Sequence, residues 1–149
     1  MDKTAIMKIL PHREPMLLVD EVELQGQGQG SVSVGKYTVR GDEFFLQGHF
    51  PGNPVVPGVI LCEMMAQSSC LLMNRDDVDG EKYTPYFTSL NKVKFKNKVV
   101  PGDTITFKFE LVTKKEPFYL IKAAGYVGDT MCISGELSYA VVKDGDMPV

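Results

Sequence analysis

From Val55 to Met73 the chain is almost continuously apolar, and this run constrains the fold more than any other feature. Pro57 suits the first turn of a helix, where a missing N–H costs nothing. The pattern predicts a helix from about residue 57 to about residue 74. Val59, Ile60, Leu61, Met64, Met65, Ala66, Leu71, Leu72 and Met73 cover nearly its whole circumference. Such a helix has to be wrapped by other structure. Pro57, Glu63, Gln67 and two serines interrupt the run, which therefore reads as a buried helix and not a membrane span. "RDDVDG" ends it in polar turn residues.

The wrapping comes from strands. "MLLVDEVEL" starts one, "GQGQG" turns, and "SVSVGKYTV" alternates as a second strand should. Ahead of them, "KTAIMKIL" suits a short helix with Ile6, Ile9 and Leu10 on one face. "EFFLQ" reads as a helical turn or bend. After the long helix, "TPYFTSLNKVKFKN" leads to the turn "VVPGD". "TITFKFELV" follows, with Ile105, Phe107, Phe109 and Leu111 on one face. "KKEP" turns the chain, and "FYLIKAAGYV" and "TMCISGELSYAVV" complete an antiparallel meander. The expectation is one α+β domain over residues 1–149, a curved antiparallel sheet around a long helix.

The net charge of −3 excludes a strongly basic nucleic-acid binder but leaves room for a local basic patch. Cys62, Cys70 and Cys132 form no CxxC, and with two histidines in the chain no metal site of the usual zinc spacings is expected. Free cysteines in apolar runs fit a reducing, cytoplasmic setting. "MDKTAIMKILPHRE" has no hydrophobic stretch of signal-peptide length.

Chemistry concentrates around "GHFPGNPVVPG", residues 48–58, which holds three glycines, three prolines and His49. A carboxylate in an apolar helix is costly unless it is paired or opens to a cleft, so Glu63 either faces solvent on one stripe or is held for use. Gln67 lies four residues on, within reach of a hydrogen bond. The rigid loop favours function for His49, because imidazole and a carboxylic acid form a natural acid/base pair. Gly58 stands where backbone N–H groups lack intrahelical partners; it is either an ordinary helix start or a donor to a developing negative charge. His12, in "LPHREPMLLVD", has no acid or nucleophile pattern around it and reads as structural. Lys92, Lys94, Lys96 and Lys98 alternate at period two, which predicts one strand face. That face is either simply solvated or a docking patch for an acidic partner, with Arg40 or Lys115 as further candidates.

Three stretches resemble the (3R)-hydroxyacyl-acyl carrier protein dehydratases of type II fatty acid synthesis: "LPHREPMLLVD", "GHFPGNPVVPGVILCEMMAQ" and "KVKFKNKVVPGD". The resemblance implies the hot-dog fold, and a dimer of joined sheets that is often assembled as a hexamer of three dimers. It also implies an active site at the dimer interface, with His49 and Glu63 drawn from different subunits. His49 is then the general base and Glu63 the acid. The Gly58 N–H binds the thioester carbonyl, and Gln67 orients the acid. Glutamate at position 63 is similar to the general elongation dehydratases, whereas relatives that also isomerise the double bond carry aspartate. Asn97-Lys98 departs from the family's frequent Arg-Pro, and Met64, Met65, Ser68 and Ser69 replace common small residues, which bears on acyl-chain preference.

The implied reaction moves only protons and water and needs no cofactor. The implied partner is an acyl carrier protein, typically acidic, with Lys92, Lys94, Lys96 and Lys98 as candidate docking residues. Phe50 and Phe87 are candidates for lining the acyl tunnel. Other readings are a different thioester task, such as hydrolysis or coenzyme A ester hydration, a non-catalytic acyl-sensing module, or a dehydratase of a specialised lipid or polyketide pathway.

Overall fold

A computed structural model describes residues 1–25, 32–69 and 83–143. Helix α1 (Lys3–Ile6) is capped by the Asp2 carboxylate, which accepts from the Ala5 N–H at 2.9 Å. It delivers Ile6 and Leu10 into the core, with Ile9 packed against it. Strands β1 (Glu21–Gln25) and β2 (Val32–Thr38) pair antiparallel, and a 3-10 turn follows at Phe44–Leu46. Helix α2 (Gly58–Ser68) comes next. Strands β3 (Tyr83–Phe95), β4 (Thr104–Lys115), β5 (Phe118–Val127) and β6 (Thr130–Lys143) complete the chain. They form one antiparallel sheet of order β1-β2-β4-β5-β6-β3. The expected meander is β4-β5-β6, and β3 crosses over to the far edge.

The sheet wraps α2 as the apolar run requires. Leu61, Met64 and Met65 are buried against Ile105, Phe107, Phe109, Ile121, Ile133 and Leu137 in one core. Helix and sheet approach so closely at Gly35 that a Cβ there would lie 2.2 Å from the Ser68 Cβ. The Ser33 hydroxyl donates to the Ser68 carbonyl at 3.2 Å across the same seam. Small residues at 35 and 68 thus set the helix depth.

Three expectations shift. The first strand begins at Glu21, not Met16, because Leu17, Leu18 and Val19 turn inward and are fully buried. Helix α2 stops at Ser68 with Ser69 as its C-cap, short of the end expected near residue 74; Cys70 lies outside the described residues. The four lysines do not share one strand face. A register shift between Asn91 and Lys94, with Lys92 at φ 53°, breaks the alternation, and β3 stops at Phe95 ahead of Lys96 and Lys98. Among the described residues no helix is long and apolar enough to cross a membrane.

Candidate active site

Glu63 sits on the one face of α2 that the sheet leaves partly open, with Ala66 one turn on. Leu10, His12, Gln67, Pro85, Tyr86, Phe87 and Tyr139 complete a pocket of about 180 Å³ around it. Gln67 fixes this corner. Its Oε1 accepts from the Leu18 N–H at 2.7 Å, and its Nε2 donates to the Met16 carbonyl at 2.7 Å and to Glu63 Oε1 at 2.9 Å. The amide has one orientation consistent with those partners, since the Leu18 N–H needs an acceptor. At 1% exposure, Gln67 is a buried polar group with its hydrogen bonds made.

His12, whose sequence surroundings show no acid or nucleophile pattern, lies beside the Glu63 carboxyl in the fold. Its Nε2 lies 3.2 Å from Glu63 Oε1. Arg13 holds the segment that carries it, donating to the carbonyls of Met7, Leu10 and His12 at 3.1, 2.9 and 2.7 Å. The hydrogen bond from His12 is the strongest influence on the Glu63 carboxyl; helped by Gln67, it outweighs desolvation and holds the group below the usual carboxylate range. Position in sequence gives no hint of this pairing; the only signal is the Gln67 clamp, which draws residues 16–18 onto α2. Cys62, the neighbour on the helix, is buried, and burial pushes its thiol up, so it stays protonated and unreactive.

His49 lies in a different place. A second, open pocket is lined by His49, Val56, Pro57, Gly58, Val59, Phe95 and Lys96 through Lys98. The loop there is closed on itself: the Val55 N–H donates to the His49 carbonyl at 2.8 Å, and Phe50 and Asn53 exchange backbone hydrogen bonds. Gly48 and Gly52 take φ of 85° and 71°, which a side chain would resist. His49 Nδ1 is 2.8 Å from the Val55 carbonyl. A carbonyl only accepts, so Nδ1 carries the hydrogen and Nε2 of the neutral ring is left with its lone pair, ready to take a proton. Phe50 is exposed and stacks on this imidazole, ring centroids 4.1 Å apart, while Phe87 lines the Glu63 pocket.

Helix α2 begins beside His49. Its first internal bonds are from the Ile60 and Leu61 N–H groups to the Pro57 carbonyl, so the Gly58 and Val59 N–H groups precede the ladder. They supply donors and the positive helix end to the His49 groove. The structure therefore brings His49 to Gly58, and Glu63 to Gln67, Phe87 and His12. It does not bring the two groups into one pocket within the chain. Lys96 and Lys98 flank the His49 groove, and Lys92 and Lys94 lie further back along β3.

Both pockets touch β3, the edge strand, through Phe87 in one and Phe95 in the other. Phe87, Leu90 and Phe95 are exposed there, Phe95 at 55%, and Val59 at the start of α2 is 76% exposed. A long edge strand bearing apolar side chains is a pairing surface.

Comparison with known proteins places the fold and the family. The dehydratase heterocomplex ApeI:P from Xenorhabdus doucetiae superposes with a TM-score of 0.76, 20% identity and coverage of 93% of this chain and 91% of that one. The fluoroacetyl-CoA thioesterase FlK superposes with a TM-score of 0.64 at 16% identity over 79% of this chain and 90% of its own. These likenesses establish the hot-dog fold. The 3-hydroxyacyl-[acyl-carrier-protein] dehydratase FabZ of Caldicellulosiruptor saccharolyticus is 40% identical over 94% of this chain and 98% of its own length. That of Caulobacter vibrioides is 38% identical over 97% of this chain and 90% of its own. A model of the FabA-like domain matches residues 10–136, and with these relatives it shows that the chain belongs to the FabA-like family, among the FabZ-type dehydratases.

Proposed function

We propose that this protein dehydrates (3R)-hydroxyacyl-acyl carrier protein to the trans-2-enoyl thioester in fatty acid elongation, with each active site shared between two subunits. One observation carries the shared site: His49 and Glu63 line separate pockets that meet the same edge strand. Antiparallel pairing of β3 with a second copy about a two-fold axis near Asn91 sets Phe87 beside Phe95 of the partner subunit. The Glu63 pocket then faces the partner's His49 groove, and the exposed Phe87, Leu90 and Phe95 are covered. Three such dimers make the hexamer expected from the family.

In the dehydration step the thioester carbonyl sits at the Gly58 N–H, which acidifies the α-carbon. His49 Nε2 takes the α-proton, the C–H electron pair becomes the new Cα–Cβ bond, and the C–O bond breaks as protonated Glu63 gives its proton to the departing hydroxyl. Water leaves. Glu63 is then a carboxylate and His49 an imidazolium, and hydration runs the same steps backwards. The pair thus works with one proton between them. The pocket of about 180 Å³ is smaller than ordinary ligand sites and holds the reacting end of the substrate; the rest of the acyl chain needs the space formed with the second subunit.

Complementation tests the shared site. His49→Ala and Glu63→Gln should each lose roughly 10²–10⁴-fold in turnover. Co-expressed in equal amounts, they should recover about a quarter of parental activity, because about half of random dimers are mixed and each mixed dimer holds one intact site. Inactive single variants that recover nothing on mixing would place both residues in one subunit's site. Full activity in Glu63→Gln would remove Glu63 from the reaction.

A further inference from the structure

We propose that His12 is a positioning residue for the reaction: together with Gln67 it occupies Oε1 of Glu63, so that Oε2 alone exchanges the proton with the substrate oxygen. This rests on the reading of Glu63 as the group that exchanges that proton.

The geometry is specific. Two donors converge on one oxygen, Gln67 Nε2 at 2.9 Å and His12 Nε2 at 3.2 Å. Oε2 accepts no hydrogen bond from the described residues. An oxygen that accepts from Gln67 and has the His12 Nε2 at 3.2 Å is a poor place for a proton, whose O–H would point at two nitrogens. A protonated Glu63 therefore carries its hydrogen on Oε2.

His12 itself is arranged to donate without transferring a proton. Its Nδ1 is buried and has no partner among the described residues. With hydrogen on Nε2 alone, Nδ1 presents only a lone pair. The Arg13 bonds to the carbonyls of Met7, Leu10 and His12 hold the segment that carries the ring in place. The other titratable groups facing Glu63 are the phenols of Tyr86 on β3 and Tyr139 on β6, and the Cys62 thiol adjoins it on α2. Among the described residues none of them bonds Oε1.

The catalytic pair holds one proton in both directions, so activity falls when Glu63 and His49 are both protonated. The acid limb of the pH profile then follows Glu63. Removing the His12 donor leaves the carboxyl with desolvation less opposed, and that limb moves to higher pH.

The test compares His12→Gln with His12→Asn, using crotonyl-acyl carrier protein hydration. Gln reaches the Nε2 position and keeps the donor; Asn places its amide short of Glu63. The expected result is parental kcat and pH profile in H12Q. In H12N kcat should fall roughly 10- to 100-fold with KM little changed, and the acid limb should move upward. Glu63→Gln is run beside them. Substantial activity in E63Q would sink the reading of Glu63 and this inference together. Inactive E63Q with H12N at parental kcat and an unmoved limb would overturn the role of His12 alone. Carboxyl-labelled glutamate, titrated by NMR and assigned with E63Q, gives a readout that needs no turnover. The Glu63 signal should titrate at higher pH in H12N than in H12Q, and coincident titrations would equally overturn the proposal.

Discussion

The Phe95 ring lies directly over Gly58: a Cβ built on that glycine would meet the ring edge at 2.9 Å. The first residue of α2 is therefore bare because an aromatic side chain from β3 occupies its space. The two come from distant parts of the chain, and the helix N-terminus proposed to receive the thioester carbonyl is shaped by both.

Gly58→Ala should separate activity from stability. Phe95 is more than half exposed in the subunit and its ring edge can swing aside, so the fold should lose less than about 1 kcal/mol. The displaced ring lies in the His49 groove, and the N–H donors are no longer presented cleanly. A loss in kcat/KM of roughly 10-fold or more is expected, approaching the 10²–10³ of a missing oxyanion donor. Thermal melting and steady-state kinetics on the same preparation check it; a large drop in Tm with parental kcat/KM per folded molecule would contradict it.

Gly35→Ala should do the reverse. Its new Cβ would meet the Ser68 Cβ at 2.2 Å and the Ser68 Cα at 3.0 Å, in a seam where both residues are fixed by backbone. Helix and sheet have to part, at a cost of about 1–3 kcal/mol or more. Urea denaturation should show the midpoint falling. Gly35→Ala combined with Ser68→Gly should recover part of the loss, since the clash is between those two positions; independent effects would show that the strain lies elsewhere.

Much of the fold was legible because it follows from periodicity. The all-round apolar run forced a wrapped helix, and strict alternation in "TITFKFELV" put Ile105, Phe107 and Phe109 into the core. The loop around His49 was legible from its glycines and prolines. His12 was not, because nothing in "LPHRE" reports that Gln67 will bind the backbone of Met16 and Leu18 and carry the segment to Glu63. The lysine face failed for a local reason: a bulge is a backbone event, and Lys92 at positive φ cannot be read from alternation. The separation of His49 from Glu63 follows from topology, which puts β3 at the edge between their pockets, and spacing along the chain carries no trace of it.

Glu43 makes stability depend on acid pH. It is buried and accepts from the Tyr37 hydroxyl at 2.8 Å and from the Arg40 and Gly41 N–H groups at 3.0 and 2.7 Å. Burial pushes its carboxyl up, but those hydrogen bonds outweigh it and leave the group below its ordinary 4.5. A depressed folded-state pKa stabilises the fold above the unfolded value, and the contribution disappears as pH falls through the folded one. Glu43→Gln should cost about 1–3 kcal/mol at pH 7, where an amide meets two N–H donors. The gap to the parent should narrow as pH drops below 4.5. Melting curves across that range decide it; a gap constant with pH would mean that the carboxylate charge contributes nothing.

Docking of the acidic carrier protein should depend unequally on the four lysines. Lys96 and Lys98 flank the groove that holds His49 and Gly58, the proposed entry for the phosphopantetheine arm, whereas Lys92 lies in the bulge of β3 and Lys94 just after it, and neither lines that groove. The chain as a whole is net negative, so an acidic partner needs local positive charge at that mouth. Lys96→Glu with Lys98→Glu should raise KM for the acyl-carrier-protein substrate about 10-fold or more at low salt, with a weaker effect at high salt, where exposed charges are screened. The same pair should leave KM for a small crotonyl thioester without the carrier protein unchanged. Lys92→Glu with Lys94→Glu should do less. Equal effects of the two pairs would make the whole strand the docking surface, and an unchanged KM in both would leave these lysines as a solvated edge.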